Sequence, residues 1–161
     1  MGNIAQISLN EIDRRILTHL QANARMTNAD LAREVGLSPS PCLRRVRDLE
    51  QNGAINRYVA LLNPSAVGLP VSVFVQVTLE RQIEKALESF EAAVIDRPEV
   101  MECYLMTGDA DYLIRVVVAS IDDYERFLVN ELTTIPGVAS IKSSFALKQV
   151  TYRTNLPLEL L

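Results

Sequence analysis

The sequence is poor in the residues that bind metals, build disulfide frameworks or perform acid–base chemistry. Its 161 residues include two cysteines, one histidine and no tryptophan. Cys42 and Cys103 lie in different predicted elements and form neither a CxxC motif nor a Cys/His cluster, so we expect two reduced thiols, no disulfide and no metal site. His19 has no titratable neighbour in sequence that would complete an acid–base pair, and we assign it to packing or to the surface.

Segments that would place the chain in a membrane are also missing. No apolar run approaches the ~20 residues that span a bilayer. The N-terminal stretch has no basic region followed by a long apolar core, as a signal peptide would. We therefore expect a cytoplasmic protein without a membrane partner.

Catalytic motifs are absent as well. The chain has no Ser/His/Asp set, no metal-ligand spacing and no glycine-rich phosphate loop after a strand. We expect no catalytic residue, no cofactor and no enzymatic activity.

The charges that are present divide unevenly along the chain. Residues 1–62 hold eight arginines and six acids, a balance of +2, whereas residues 63–161 hold eight basic residues and fourteen acids, a balance of −6. This asymmetry indicates a mildly basic module that faces nucleic acid, joined to an acidic module with another task.

Two amphipathic helices are predicted near the N-terminus. The first begins at about Ser8 or Asn10, either of which can cap it, and ends at Ala22. Its apolar stripe has helical spacing and consists of Ile12, Ile16, Leu17 and Leu20. A capping motif at Thr27 begins the second helix, which ends at Val35.

A third helix is predicted from near Ser38 to Gln51. Gly36 can end the preceding helix in the left-handed conformation, and the prolines at positions 39 and 41 are tolerated in a first helical turn. At about 100° per residue, the packing face consists of Leu43, Val46 and Leu49, with Cys42 on the same side. The outward face consists of Ser40, Arg44 and Arg47, with Arg45 on its flank. Two short helices joined by a glycine-containing turn, the second exposing arginines, are typical of a helix-turn-helix.

The segment that follows is predicted to be a wing. Residues 54–62 have the composition of a strand after the Asn52-Gly53 helix end, so the first domain, residues 1–62, is a winged helix-turn-helix. Residues 63–70 carry two prolines and a glycine and form a hinge.

The second domain, residues 71–161, is predicted to be a ferredoxin-like βαββαβ unit, which makes the whole chain α+β. Its predicted elements are strands near 71–79, 100–107, 112–119 and 138–151, and helices near 83–94 and 124–132. The sheet packs helices on one face and leaves the other open. Because Phe74, Tyr104, Phe145 and several valines are distributed through the sheet, we expect the open face to be apolar and to drive self-association.

With these elements assigned, the sequence resembles the Lrp/AsnC (leucine-responsive, feast/famine) family of transcriptional regulators from near Leu9 to near Val150, and most closely the leucine-responsive branch. The resemblance is carried by Glu11–Leu17 (EIDRRIL), Gly36–Val46 (GLSPSPCLRRV), Leu49-Glu50 with Gly53–Ile55, Ala60–Pro64 (ALLNP), Gly108–Tyr112 (GDADY) and Ile135–Val138 (IPGV). It implies a winged helix-turn-helix, a βαββαβ effector and assembly domain known as the RAM domain, amino-acid effectors, and a homodimer that can build octamers.

Two sets of site residues follow. We expect Arg44 and Arg47 to contact double-stranded DNA from the third helix, aided by Ser38, Ser40 and Arg45. The resemblance implies an amino-acid effector, leucine or another branched-chain amino acid, bound by Tyr104, Leu105, Met106, Gly108, Asp109, Asp111, Thr133 and Thr134. An acid there would hold the ammonium group, and a tight hairpin turn without any ligand is the alternative for residues 108–111.

Two other functions remain open at this point. Ferredoxin-like domains also host catalysis, although the missing motifs weigh against an enzyme. An architectural DNA-compacting protein without a metabolite response is the second alternative. We expect a regulator of amino-acid metabolism instead.

Overall fold

The computed structural model of the protein describes residues 7–160 and divides them into two compact units. The first contains the described residues up to Ala60 together with those from Thr151 onward, and the second is Leu61–Val150. None of the helices within residues 7–160 is long and apolar enough to cross a membrane.

With the exception of the predicted strand over residues 54–62, the helices and strands follow the predicted order. The helices are α1 (Glu11–Ala22), α2 (Asn28–Val35), α3 (Pro39–Gln51), α4 (Glu84–Ile95) and α5 (Ile121–Phe127), which continues as a π-helical segment over Leu128–Leu132. The strands are β1 (Val71–Leu79), β2 (Val100–Leu105), β3 (Tyr112–Val118) and β4 (Val138–Phe145).

Local hydrogen bonds set the helix boundaries of the first unit. Asn10, rather than Ser8, caps α1 through a capping box with Asp13, and Thr27 caps α2. Gly36 ends α2 with a φ of 73°, and the Leu37 N–H then donates to the Ala32 carbonyl over 2.8 Å. This reversal is the turn of a helix-turn-helix.

The core of the first unit forms where the three helices meet. It consists of Ile16, Leu17, Leu31, Ala32, Val35, Cys42 and Leu49. Cys42 is fully buried, as predicted for a packing cysteine, and burial raises the pKa of its thiol. Leu43, predicted on the packing face, is 38% exposed.

The predicted wing strand over residues 54–62 is not formed. The segment has no regular secondary structure, because no strand of the described chain pairs with it. The segment is hydrogen-bonded to the end of α3. The Ile55 N–H donates to the Leu49 carbonyl, and the Tyr58 hydroxyl donates to the Glu50 carboxylate over 2.9 Å. Desolvation and this bond to a carboxylate raise the pKa of Tyr58 to about 12.

The described residues from Thr151 onward group with the first unit, whereas the sequence analysis places them in a domain of residues 71–161. Strand β4 ends at Phe145 rather than near Thr151. The Gln21 side chain then holds the Leu156 backbone, accepting its N–H over 2.6 Å and donating to its carbonyl over 3.2 Å. Leu158 packs against the first core. The boundary after residue 62 is also displaced, because Leu61 already belongs to the second unit.

The second unit is a four-stranded antiparallel sheet in the order β2-β3-β1-β4, and it confirms the predicted ferredoxin-like arrangement. Its core lies between one sheet face and the helices α4 and α5. The strand side chains in this core are Val73, Val75, Val77, Leu79, Tyr112, Ile114, Val116 and Val118.

The open sheet face is mixed rather than apolar, which corrects the expectation from sequence. The buried valines of β1 and β3 all point to the helices. Phe145 lies on that side too, because its ring makes an edge contact with buried Tyr124 at 5.3 Å. Strand alternation places Phe74 and Tyr104 on the open face, together with an ion pair between Arg115 and Glu102 at 2.7 Å.

A buried carboxylate ties together one end of the sheet. Asp111 is 5% exposed; its Oδ2 accepts the Leu79 N–H over 2.7 Å, and its Oδ1 accepts from the Gln82 side-chain amide over 2.6 Å. Its own N–H donates to Val77, and its carbonyl accepts from Met106. Asp111 therefore joins the ends of β1 and β2 to the start of β3.

We expect Asp111→Ala to lower the free energy of unfolding by roughly 1–3 kcal/mol, because the buried Leu79 N–H loses its partner. Urea denaturation followed by circular dichroism measures this. Asp109→Ala is the matched control, since Asp109 is exposed, and we expect it to cost less than about 0.5 kcal/mol. Equal losses in the two variants would contradict a structural role for the Asp111 carboxylate.

Candidate DNA interface and effector site

The start of α3 is held against α2. The Asn28 side-chain amide donates to the Pro39 carbonyl over 2.8 Å, and Pro39 and Pro41 occupy the first turn, where an N–H has no intrahelical partner. Ser38 is the N-cap residue, but its hydroxyl makes no capping hydrogen bond. The hydroxyl is therefore available to an external group.

The outward face of α3 carries the predicted cations. Ser40, Arg44 and Arg47 are exposed. Within residues 7–160, neither Arg44 nor Arg47 has an ion pair or a side-chain hydrogen bond. Two unengaged guanidinium groups on one exposed helix face suit bidentate contacts with guanine edges or phosphates.

Arg45 is placed differently from its neighbours, and the sequence does not reveal this. Its Nη1 donates to Asp13 Oδ1 on α1 over 2.8 Å, and the two side chains are only 33% and 15% exposed. Arg45 is thus engaged inside the first unit rather than presented with Arg44 and Arg47. Asp13 was not among the predicted site residues, since only the folded chain brings it to α3.

The candidate effector loop connects β2 to β3. Gly108 has a φ of 122°, a conformation that L-residues with side chains rarely adopt. Asp109 is exposed, and so are the side chains of Tyr104, Leu105 and Met106. The Tyr104 hydroxyl donates to Glu102 over 3.0 Å, which raises the pKa of Tyr104.

The two acids of this loop have different surroundings. Both carboxylate oxygens of Asp111, a predicted effector residue, already accept hydrogen bonds inside the unit. Asp109 is the acid that remains exposed. Gln82, which the sequence analysis did not single out, donates the hydrogen bond to the second carboxylate oxygen of Asp111.

Thr133 and Thr134 lie at the same end of the sheet. Their hydroxyls donate to carbonyls of the preceding helix, over 2.8 Å from Thr133 to Val129 and over 2.9 Å from Thr134 to Glu131. The end of β1 separates them from the effector loop. A groove of about 390 Å³ adjoins Thr133 and is lined by Leu128, Thr133, Val138, Ala139, Ser140 and Ile141. No residue of the loop after β2 lines this groove.

Protein-family models match both halves of the chain. A model described as winged helix-turn-helix DNA-binding matches residues 9–56, and the Lrp/AsnC ligand binding domain matches residues 72–156. The first match covers α1 to α3, and the second covers the sheet from Ser72 onward.

Relatives and solved structures agree with these matches. The chain is 50% identical over 150 residues to the Bkd operon transcriptional regulator of Pseudomonas aeruginosa, covering 93% of this chain and 98% of the relative. It is 40% identical over 148 residues to the leucine-responsive regulatory protein of Escherichia coli K12, covering 92% and 90%.

Among solved structures, a Neisseria meningitidis transcriptional regulator in complex with L-Met superimposes with a TM-score of 0.91 at 41% identity, covering 96% of this chain and 100% of that one. An AsnC family regulator from Agrobacterium tumefaciens gives 0.90 at 41% identity, covering 95% and 99%. The chain therefore belongs to the Lrp/AsnC family of DNA-binding transcriptional regulators that carry an amino-acid ligand-binding domain.

Proposed function

We propose that this regulator reads operator DNA with α3 and responds to an amino acid with an aliphatic side chain, leucine or another branched-chain amino acid first, to control genes of amino-acid metabolism. The observation that carries the proposal is the pair of unengaged arginines on the exposed face of a helix-turn-helix, in a chain that also has an Lrp/AsnC ligand-binding domain.

Arg44 and Arg47 are the proposed readers of base edges. A guanidinium can donate two parallel hydrogen bonds to guanine O6 and N7, a contact that discriminates between base pairs. Ser38 and Ser40, near the N-terminus of α3, are proposed to contact phosphates through their hydroxyl groups. Phosphate contacts fix the register of the helix, and base contacts supply the sequence preference.

The proposed effector site is the loop after β2. A free amino acid presents an ammonium and a carboxylate at once. Exposed Asp109 suits the ammonium, and backbone N–H groups near Gly108 suit the carboxylate. Leu105 and Met106 would form the apolar part of the pocket. Relatives named leucine-responsive regulatory proteins and a neighbour solved with L-Met support an aliphatic amino acid.

Assembly is the third part of the proposal. We propose a homodimer that builds a higher oligomer, an octamer by family resemblance. The open sheet face carries Phe74 and Tyr104, which would be covered by a second copy. An effector bound between copies would bias assembly only as far as its affinities for the two assemblies differ. Thr133 and Thr134 could then complete the site from another copy.

We expect Arg44→Ala and Arg47→Ala each to weaken operator binding by roughly 1–3 kcal/mol, because each removes a base or phosphate contact. Fluorescence anisotropy on the DNA upstream of the protein's own gene, at one fixed salt concentration, measures the loss. Arg126→Ala is the matched control: it removes the same charge from α5, where Arg126 pairs with Asp123. Unchanged affinity in both α3 variants would show that another element reads the DNA.

We expect Asp109→Ala to weaken leucine binding about tenfold or more, because the ammonium loses its counter-charge, while operator binding without leucine stays unchanged. Isothermal titration calorimetry measures the leucine affinity. Asp122→Ala on α5 is the control, since it removes an equally exposed acid. Unchanged leucine affinity in the Asp109 variant would place the site elsewhere.

A shift assay across a panel of amino acids separates this proposal from an architectural protein. The regulator should change its operator affinity, footprint or assembly with leucine, isoleucine, valine or methionine, and not with aspartate or lysine. An architectural DNA-compacting protein would respond to none of them.

We expect Phe74→Glu to shift the full-length protein to smaller species in sedimentation velocity at micromolar concentration. A carboxylate that is buried between two copies is costly to desolvate. Ile95→Glu, at the exposed end of α4, is the control and should sediment like the unmodified protein. A monomeric unmodified protein would refute the assembly proposal outright.

A further inference from the structure

The ion pair between Asp13 and Arg45 differs from the other ion pairs of residues 7–160 in how well its acid is shielded from solvent. Among the ion pairs within residues 7–160, Asp13 is the least exposed acid, at 15%. It joins α1 to the reading helix α3 across 32 positions of sequence. Because both side chains are largely shielded, salt screens this pair less than it screens a surface pair.

The capping box with Asn10 orients the Asp13 side chain independently of Arg45. Its backbone N–H donates to the Asn10 side chain over 2.9 Å, and its Oδ2 accepts the Asn10 N–H over 3.4 Å. The remaining oxygen, Oδ1, accepts from Arg45. A carboxylate in the first turn of a helix is also favoured by the helix dipole. The acceptor is therefore in position without a further loss of side-chain freedom.

Arg45 would otherwise be well placed to bind phosphate. It follows Arg44 directly, and one helical step of about 100° puts it on the flank of the outward face. Arginines on the flank of a reading helix are suited to the DNA backbone, and phosphate and carboxylate are recognised by the same guanidinium geometry. The Asp13 carboxylate thus accepts a hydrogen bond from the Arg45 guanidinium, the group that would otherwise bind a phosphate.

We propose that Asp13 is a specificity-determining residue, which holds Arg45 away from phosphate so that α3 binds DNA through the residues of its outward face. Contacts to phosphate strengthen binding to every sequence, whereas base contacts strengthen binding to the operator alone. When Arg45 is paired with Asp13, the flank of α3 has one arginine fewer for phosphate contacts. The affinity for non-specific DNA is then lower, and the ratio of operator affinity to non-specific affinity is higher. This proposal rests on the proposed role of α3 as the reading helix.

The salt dependence of binding tests it, because the slope of log K against log salt falls by about 0.9 for each phosphate neutralised. The probes are a duplex selected by the unmodified protein from a random library and a 30-base-pair duplex of unrelated sequence. On the unrelated duplex, Asp13→Asn should bind more tightly at low salt, with a slope steeper by about 0.9 for each α3 in contact with DNA. The ratio of selected to unrelated affinity should fall.

Arg45→Gln is the companion variant, because glutamine can still donate to Asp13 but carries no charge. It should have the same slope as the unmodified protein, and the double variant Asp13→Asn/Arg45→Gln should return to that slope. Circular dichroism and melting curves show whether each variant folds. If Asp13→Asn does not fold, the salt slope of Arg45→Gln alone tests the proposal.

Two outcomes would overturn the proposal. A flatter slope for Arg45→Gln would mean that Arg45 already contacts phosphate in the unmodified protein. An unchanged slope and specificity ratio for folded Asp13→Asn would mean that the pair only stabilises the fold. Failure of the proposed reading role is distinguished by Arg44→Ala and Arg47→Ala, which would leave binding to the selected duplex unaffected if α3 does not read DNA.

Discussion

The packing of one side of α3 is the constraint on which the DNA-binding unit depends. Cys42 and Leu49 are buried in the core formed with α1 and α2, and the Asn28 amide holds the first turn of α3 at Pro39. Rotation of α3 about its axis would expose these apolar groups and break this bond, at a cost of several kcal/mol. The exposed positions of Arg44 and Arg47 follow from what is buried on the other side.

The acids of the two units have two distinct roles. Asp13 and Asp111 are both shielded and both fully engaged, one with a guanidinium and a helix start, the other with a backbone N–H and an amide. Asp109 is exposed and keeps its carboxylate for solvent or a ligand. In a motif that contains both Asp109 and Asp111, burial decides which acid supports the fold and which can meet an external cation.

The chain passes through the ligand-binding unit and returns to the DNA-binding unit. Residues 61–150 lie between two parts of the first unit, and the second part is held by the Gln21 side chain and by Leu158. Two covalent connections therefore join the units instead of one. Strand β4 follows Thr133 and Thr134 in the chain, and residues 146–150 connect it to the returning segment.

The sequence by itself determined the three helices of the first unit, the βαββαβ order of the second unit and the class of fold. Helical spacing, the caps at Asn10 and Thr27, and Gly36 are signals carried by residues within a few positions of one another. The outward position of Arg44 and Arg47 could be predicted for the same reason, since it depends only on the period of one helix. The candidate effector loop was predicted from its family motif, not from its physical chemistry.

Only the tertiary structure decided which of these residues are engaged. Arg45 meets an acid 32 positions away, Asp111 meets partners 32 and 29 positions away, and Gln21 holds a backbone 135 positions away. The strand pattern of residues 54–62 finds no partner strand in the described chain, and the valines of β1 all turn to the helices. Burial and hydrogen-bond partners arise between distant segments, whereas periodicity reports only on neighbours, so local patterns predict an element but not what its side chains will contact.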